Sequence, residues 1–142
     1  SSDVCSSDLW RLHDEREQQL MKATHINHPS AIWCRENKSN YEWLYNMTVE
    51  LLKEYTYRYG KIHACEKYLP YLKSPPKNIP DGIFFAPTPA MPTDCKVLSK
   101  NPVAGRKYDV LASYKNYYIK EKARFAKWKN RNTPEWFVNA NI

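Results

Sequence analysis

The stretch SNYEWLYNMTVELLKEYTYRYG, residues 39–60, decides the fold class. Ser39, with Glu42 three positions on, forms the pattern of a capping box. Leu44, Met47, Leu51, Tyr55 and Tyr59 then recur every three or four residues, and Trp43 and Leu52 widen the stripe. That is the period of an amphipathic helix with one apolar face. Gly60 supplies the left-handed residue that stops it. The spacing predicts a helix over 39–59.

On the N-terminal side, Thr24 to Pro29 (Thr-His-Ile-Asn-His-Pro) reads as a connector, since the residue before proline avoids the helical region. Pro29 and Ser30 can open a short helix running to about Asn37. Residues 10–22 carry charge with a thin apolar edge (Leu12, Leu20, Met21) and read as the end of a further helix. Residues 1–9, SSDVCSSDL, resemble a translated sequencing adapter, and such a scar is left out of fold reasoning. The domain is then residues 10–142, expected to lack its native start.

On the C-terminal side, residues 61–72 read as a shorter helix with Ile62, Cys65, Leu69 and Leu72 on one side. Residues 73–102 hold 7 of the 10 prolines and cannot be regular helix. Ile79, Ile83, Phe84, Phe85, Met91 and Val97 suggest that this segment wraps the domain, with extended pieces near residues 82–85. A second long helix is expected over 106–130. Tyr108, Leu111, Tyr114, Tyr118, Phe125 and Trp128 share a helical stripe, and Thr133 and Pro134 end it before a plug of Glu135, Trp136 and Phe137. The sum is a single all-α domain of two long helices, shorter helices and a proline-rich wrap.

Composition narrows the function. The 142 residues carry 22 Lys and Arg against 15 Asp and Glu, a net charge of +7. Without Asp3 and Asp8 it is +9, because 13 acids face the same 22 bases. The 3 Gly leave no room for a glycine-rich phosphate loop. No apolar run approaches the roughly 18 residues of a membrane-spanning helix, so no membrane partner is expected. Cys34, Cys65 and Cys95 form no CxxC pair, which argues against a closed zinc site and a disulfide framework. Buried free thiols in a reducing cytoplasm are the expectation, with no metal and no cofactor.

Charge is concentrated at the C-terminal end. Over residues 111–142, Lys115, Lys120, Lys122, Arg124, Lys127, Lys129 and Arg131 face only Glu121 and Glu135. A basic face interleaved with Tyr117, Tyr118 and Trp128 offers both ingredients of nucleic-acid binding. Cations meet phosphates, and each base stacked on a ring adds about 1–3 kcal/mol. A solvated lysine face over an aromatic core gives the same pattern. Arg35, Lys38, Arg58, Lys61 and His63 form a second basic cluster. There Glu54 and Arg58 are spaced for a helical ion pair, or for a guanidinium held in a phosphate-facing cleft. His25, His28 and His63 fit ring-to-backbone hydrogen bonds, phosphate contact, acid–base work or, with a carboxylate, a loose metal set. The candidate nucleic-acid contacts are therefore Arg35, Lys38, Arg58, Lys61, Lys122, Arg124, Lys127, Trp128, Lys129 and Arg131.

Several motifs resemble a family of phage and marine-virus proteins. They are Thr24-His25-x-Asn27-His28-Pro29-x-x-Ile32-Trp33, Asn40-Tyr41-x-Trp43-Leu44, and Glu54-Tyr55-x-Tyr57-Arg58-Tyr59-Gly60-Lys61-x-His63. They continue with Ala90-Met91-Pro92, Tyr117-Tyr118-x-x-Glu121-Lys122-x-Arg124-Phe125-Ala126-Lys127-Trp128, and Pro134-Glu135-Trp136-Phe137. More distantly, Asn27-His28-Pro29 and the helix ending Tyr57-Arg58-Tyr59-Gly60 resemble the pyrimidine-dimer DNA glycosylase (endonuclease V) family. That resemblance implies a small all-helical protein that excises damaged pyrimidines. An N-terminal amine attacks the sugar of a flipped nucleotide, assisted by a glutamate near the first helix. No residue of this chain takes over those catalytic roles, so any glycosylase or lyase activity is expected to lie in a missing N-terminal segment. The expected partner is DNA rather than RNA, in the cytoplasm of a bacterial or infected cell. The alternatives are a non-catalytic nucleic-acid-binding or phage accessory protein, and an interaction module that uses the proline-rich segment.

Overall fold

In the computed structural model, residues 25, 27–103 and 106–140 are described. The adapter-like stretch and the expected helix over 10–22 lie outside them. The chain divides into two compact units, the first ending at Phe85 and the second beginning at Ala86.

The N-terminal unit opens with α1 (Pro29–Glu36). His28 caps it: the ring Nδ1 accepts from the Ser30 amide at 3.0 Å, and proline occupies the first turn, where no N–H is needed. Next comes α2 (Lys38–Tyr59). Its cap is Asn37, whose side chain accepts from the Asn40 amide at 2.8 Å. The expected cap, Ser39, instead donates its hydroxyl to the Gly82 carbonyl at 2.6 Å. Gly60 ends the helix at φ 65°, as its sequence position predicts. The expected helix over 61–72 is a 3-10 turn (Ala64–Tyr68) followed by the single-turn α3 (Leu69–Leu72).

The buried face of α2 is Asn40, Tyr41, Thr48 and Leu52. It is rotated from the expected stripe, leaving Met47 43% and Leu51 61% exposed. Polar groups can occupy a core when they are satisfied. Asn40 Nδ2 donates to the Trp33 carbonyl at 2.9 Å, its Oδ1 accepts from the Phe85 amide at 3.2 Å, and Thr48 Oγ1 donates to the Leu44 carbonyl. Around them Trp33, Cys34, Tyr41, Leu52, Cys65, Leu72 and Ile79 form the core. The first part of the proline-rich segment lies along this core, as its apolar residues suggest. The Lys38 amide donates to the Pro80 carbonyl, Asn37 Nδ2 to the Ile83 carbonyl, and Trp33 Nε1 to the Phe85 carbonyl at 2.8 Å. Residues 82–85 form no regular strand.

The C-terminal unit corrects the all-α expectation. The chain is mostly helical, but it also contains an antiparallel pair, β1 (Val97–Val103) and β2 (Arg106–Asp109). Val97 pairs with Asp109, Leu98 with Tyr108, and Val103 with Arg106, with an irregularity between Leu98 and Val103. The helix expected over 106–130 is therefore β2, then α4 (Val110–Tyr117), then a π turn (Tyr118–Lys122). Tyr108, Leu111 and Tyr114 keep helical spacing across the junction, which hides the break. Asp109 makes it: its carboxylate accepts from the Ala112 amide at 3.0 Å and starts α4 there. Beyond Lys122 the chain turns, and Asn130 adopts φ 61°. The aromatic plug is α5 (Glu135–Ala140), with the Phe137 ring 4.6 Å from that of Trp128.

A 3-10 turn (Thr93–Cys95) precedes β1. Buried Ser113 joins it to α4: the Ser113 hydroxyl donates to the Asp109 carbonyl and accepts from the Val97 amide at 2.8 Å. Asn116 Nδ2 donates to the Cys95 carbonyl, and Lys120 Nζ to the Asp94 carbonyl at 3.0 Å. Among the described residues no helix is long and apolar enough to cross a membrane.

Candidate nucleic-acid interface

The predicted contacts divide between the two units. In the N-terminal unit, Lys38 faces Asp81 at 3.5 Å and Arg58 faces Glu54 at 3.5 Å, so carboxylates partly neutralise both cations. Arg58 thus makes the helical ion pair that its spacing permits. Arg35 is half-buried, with Nη1 inside the protein. Lys61 is exposed. His63 caps the 3-10 turn by accepting from the Cys65 amide at 3.0 Å, and its ring meets Tyr55 edge-on. His28 and His63 therefore serve the backbone through Nδ1, the structural role among those the sequence allows. His25 is exposed, at φ 53°. The three histidines form no metal-ligating group among the described residues.

The C-terminal unit presents a different environment. Lys115, Lys120, Lys122, Arg124 and Lys127 make no ion pair with a carboxylate among the described residues. Several rest against aromatic rings instead. Lys115 Nζ lies 5.8 Å from the Trp136 ring centre, Lys122 Nζ 5.3 Å from Tyr117, and the Arg124 guanidinium 4.6 Å from Phe125. A ring face holds a cation in place without cancelling its charge, so the field toward solvent persists. Lys129 and Arg131 are exposed on the turn that follows.

Trp128, a predicted contact, is half-buried, its ring packed against that of Phe137. Two other rings are more accessible: Tyr118, which the sequence places among the basic residues, is 44% exposed, and Phe125, which it does not single out for stacking, is 64% exposed. Lys96 and Lys107, which flank the Tyr108 ring at 5.1 and 5.3 Å, add to the positive charge. Nothing in the helical period separates these residues from a core stripe; the π turn and the loop after it expose them.

One acidic group lies within this basic unit. The ligand atoms of Asp94, Cys95 and Glu121 all lie within 4.8 Å of one another. Cys95 is fully buried and free. Burial first, then the Asp94 and Glu121 carboxylates, push its thiol above its ordinary pKa, against a smaller opposing pull from Lys120. Sequence spacing could not assemble this group, because Glu121 lies far along the chain from Asp94 and Cys95.

In comparisons with known proteins, no family model, no curated protein and no solved structure matches the chain.

Proposed function

We propose that the C-terminal unit binds nucleic acid, single-stranded DNA foremost, through the phosphates. Lys115, Lys120, Lys122, Arg124 and Lys127 supply the charge, and Phe125 and Tyr118 supply faces on which a base can stack. The observation that carries this reading is that these five cations have no carboxylate partner among the described residues, and that Lys115, Lys122 and Arg124 lie beside rings. Phosphate contact gives affinity without sequence information, and aromatic stacking favours unpaired bases. The more distant resemblance of Asn27-His28-Pro29 and Tyr57-Arg58-Tyr59-Gly60 to the pyrimidine-dimer DNA glycosylase family favours DNA as the polymer. Cys34, Cys65 and Cys95 form no disulfide among the described residues, which fits a reducing cytoplasm. No excision step is assigned to the described residues.

Fluorescence anisotropy with a labelled oligonucleotide tests this reading. The triple variant Lys122→Ala/Arg124→Ala/Lys127→Ala is expected to bind single-stranded DNA at least tenfold more weakly at low salt. The pair Lys38→Ala/Arg58→Ala in the N-terminal unit is expected to bind within about twofold of the parent. The opposite pattern would move the interface to the N-terminal unit.

A further inference from the structure

We infer that Asp94, Cys95 and Glu121 form a binding site for a divalent ion of the zinc class. The 3-10 turn Thr93–Cys95 brings the first two, and the π turn Tyr118–Lys122 brings the third. The three ligand atoms lie within 4.8 Å of one another, whereas a tetrahedral zinc site with bonds of about 2.0–2.3 Å needs separations of about 3.3–3.8 Å. Small rotations of the exposed Asp94 and Glu121 side chains can close that gap.

The Cys95 thiol is the observation that separates this group from an ordinary pair of surface acids. It is wholly buried, unbridged and without a hydrogen-bond partner among the described residues, and it sits beside two carboxylates. A metal ion gives that arrangement a purpose. As the sulfur–metal bond forms, the thiol proton leaves to solvent, and the sulfur becomes a ligand. Three anionic ligands and one divalent cation leave one negative charge. Lys120, held 3.0 Å from the Asp94 carbonyl, offsets it.

Ligand chemistry selects the ion. A thiolate disfavours magnesium and calcium, which prefer oxygen-only shells, and a mixed sulfur and oxygen set suits zinc. Three protein ligands leave a fourth position for water. The unit also benefits structurally: its fully buried side chains include small ones such as Cys95 and Ser113, and units this small are commonly stapled by a metal or disulfides. The ion would tie the π turn, and with it Lys120 and Lys122, to the start of β1.

The test uses cobalt(II) as the spectroscopic probe, added to the metal-free full chain in a Cys5→Ser background under a non-thiol reductant. One equivalent should produce a thiolate-to-cobalt charge-transfer band that zinc(II) abolishes and magnesium(II) does not. Cys95→Ser should lose the band. Asp94→Asn and Glu121→Gln change exposed side chains, so they serve even where the cysteine variant folds poorly. With circular dichroism unchanged, each should weaken cobalt binding at least tenfold. No band, a band retained in Cys95→Ser, or a smaller loss in either carboxamide variant would overturn the assignment.

Discussion

Asn37 and Gly82 approach so closely that a Cβ added at Gly82 would lie 2.7 Å from the Asn37 Cβ. Asn37 is the α2 cap and also donates to the Ile83 carbonyl, so it cannot move aside without losing both contacts. Gly82→Ala should therefore destabilise the N-terminal unit by about 1–3 kcal/mol, the usual cost of forcing an extra carbon into a packed contact. Denaturant unfolding checks this, with Gly60→Ala for comparison. Gly60 has open space around it and is strained only by its positive φ, so its cost should be closer to 1 kcal/mol.

Asn40 is the polar centre of the same unit. Replacing it by leucine leaves the Phe85 amide and the Trp33 carbonyl without their partner. A buried group left unsatisfied costs about 1–3 kcal/mol. Asn40→Leu should therefore destabilise despite its greater hydrophobicity, and the amide of Phe85 should lose protection in hydrogen exchange. Equal or greater stability would show that the proline-rich segment at Phe85 does not depend on this side chain.

His28 is expected to act as a helix cap. His28→Ala should cost about 1 kcal/mol, and His28→Asn should recover most of it, because an Asn side chain can accept from the same amide. Thermal unfolding of the three proteins decides the matter.

Both units also show how far the sequence could be read. The length of α2 and its stop at Gly60 follow from periodicity and one glycine. Its buried face does not, because Asn40 and Thr48 are core residues only by virtue of partners at Trp33, Phe85 and Leu44. In the C-terminal unit the aromatic spacing from Tyr108 to Tyr118 is truly helical, yet Asp109 divides it into strand and helix through a single capping bond. The basic residues of the candidate interface were legible as a cluster. That Lys122 and Arg124 lean on rings, while Arg58 leans on Glu54, depends on local geometry that charge counting does not contain.

Cys95 gives the metal-free protein a pH dependence. Its thiol pKa is raised in the folded state by burial, Asp94 and Glu121. A raised value means that its contribution to stability is whole below the thiol's ordinary value of about 8.5 and is lost as pH climbs through the folded value. With a chelator present, the stability of the parent relative to Cys95→Ala should hold from pH 7 to 8 and decline above about 8.5. A difference that stays constant up to pH 10 would contradict the environment described for this thiol.

The most direct test of nucleic-acid binding by the C-terminal unit is the salt dependence of affinity for a single-stranded oligonucleotide. If Lys115, Lys120, Lys122, Arg124 and Lys127 each meet a phosphate, log K should fall against log salt with a slope of about −3.5, and removing three of them should flatten it by about 2. A slope near zero, or one that the triple variant leaves unchanged, would contradict the assignment.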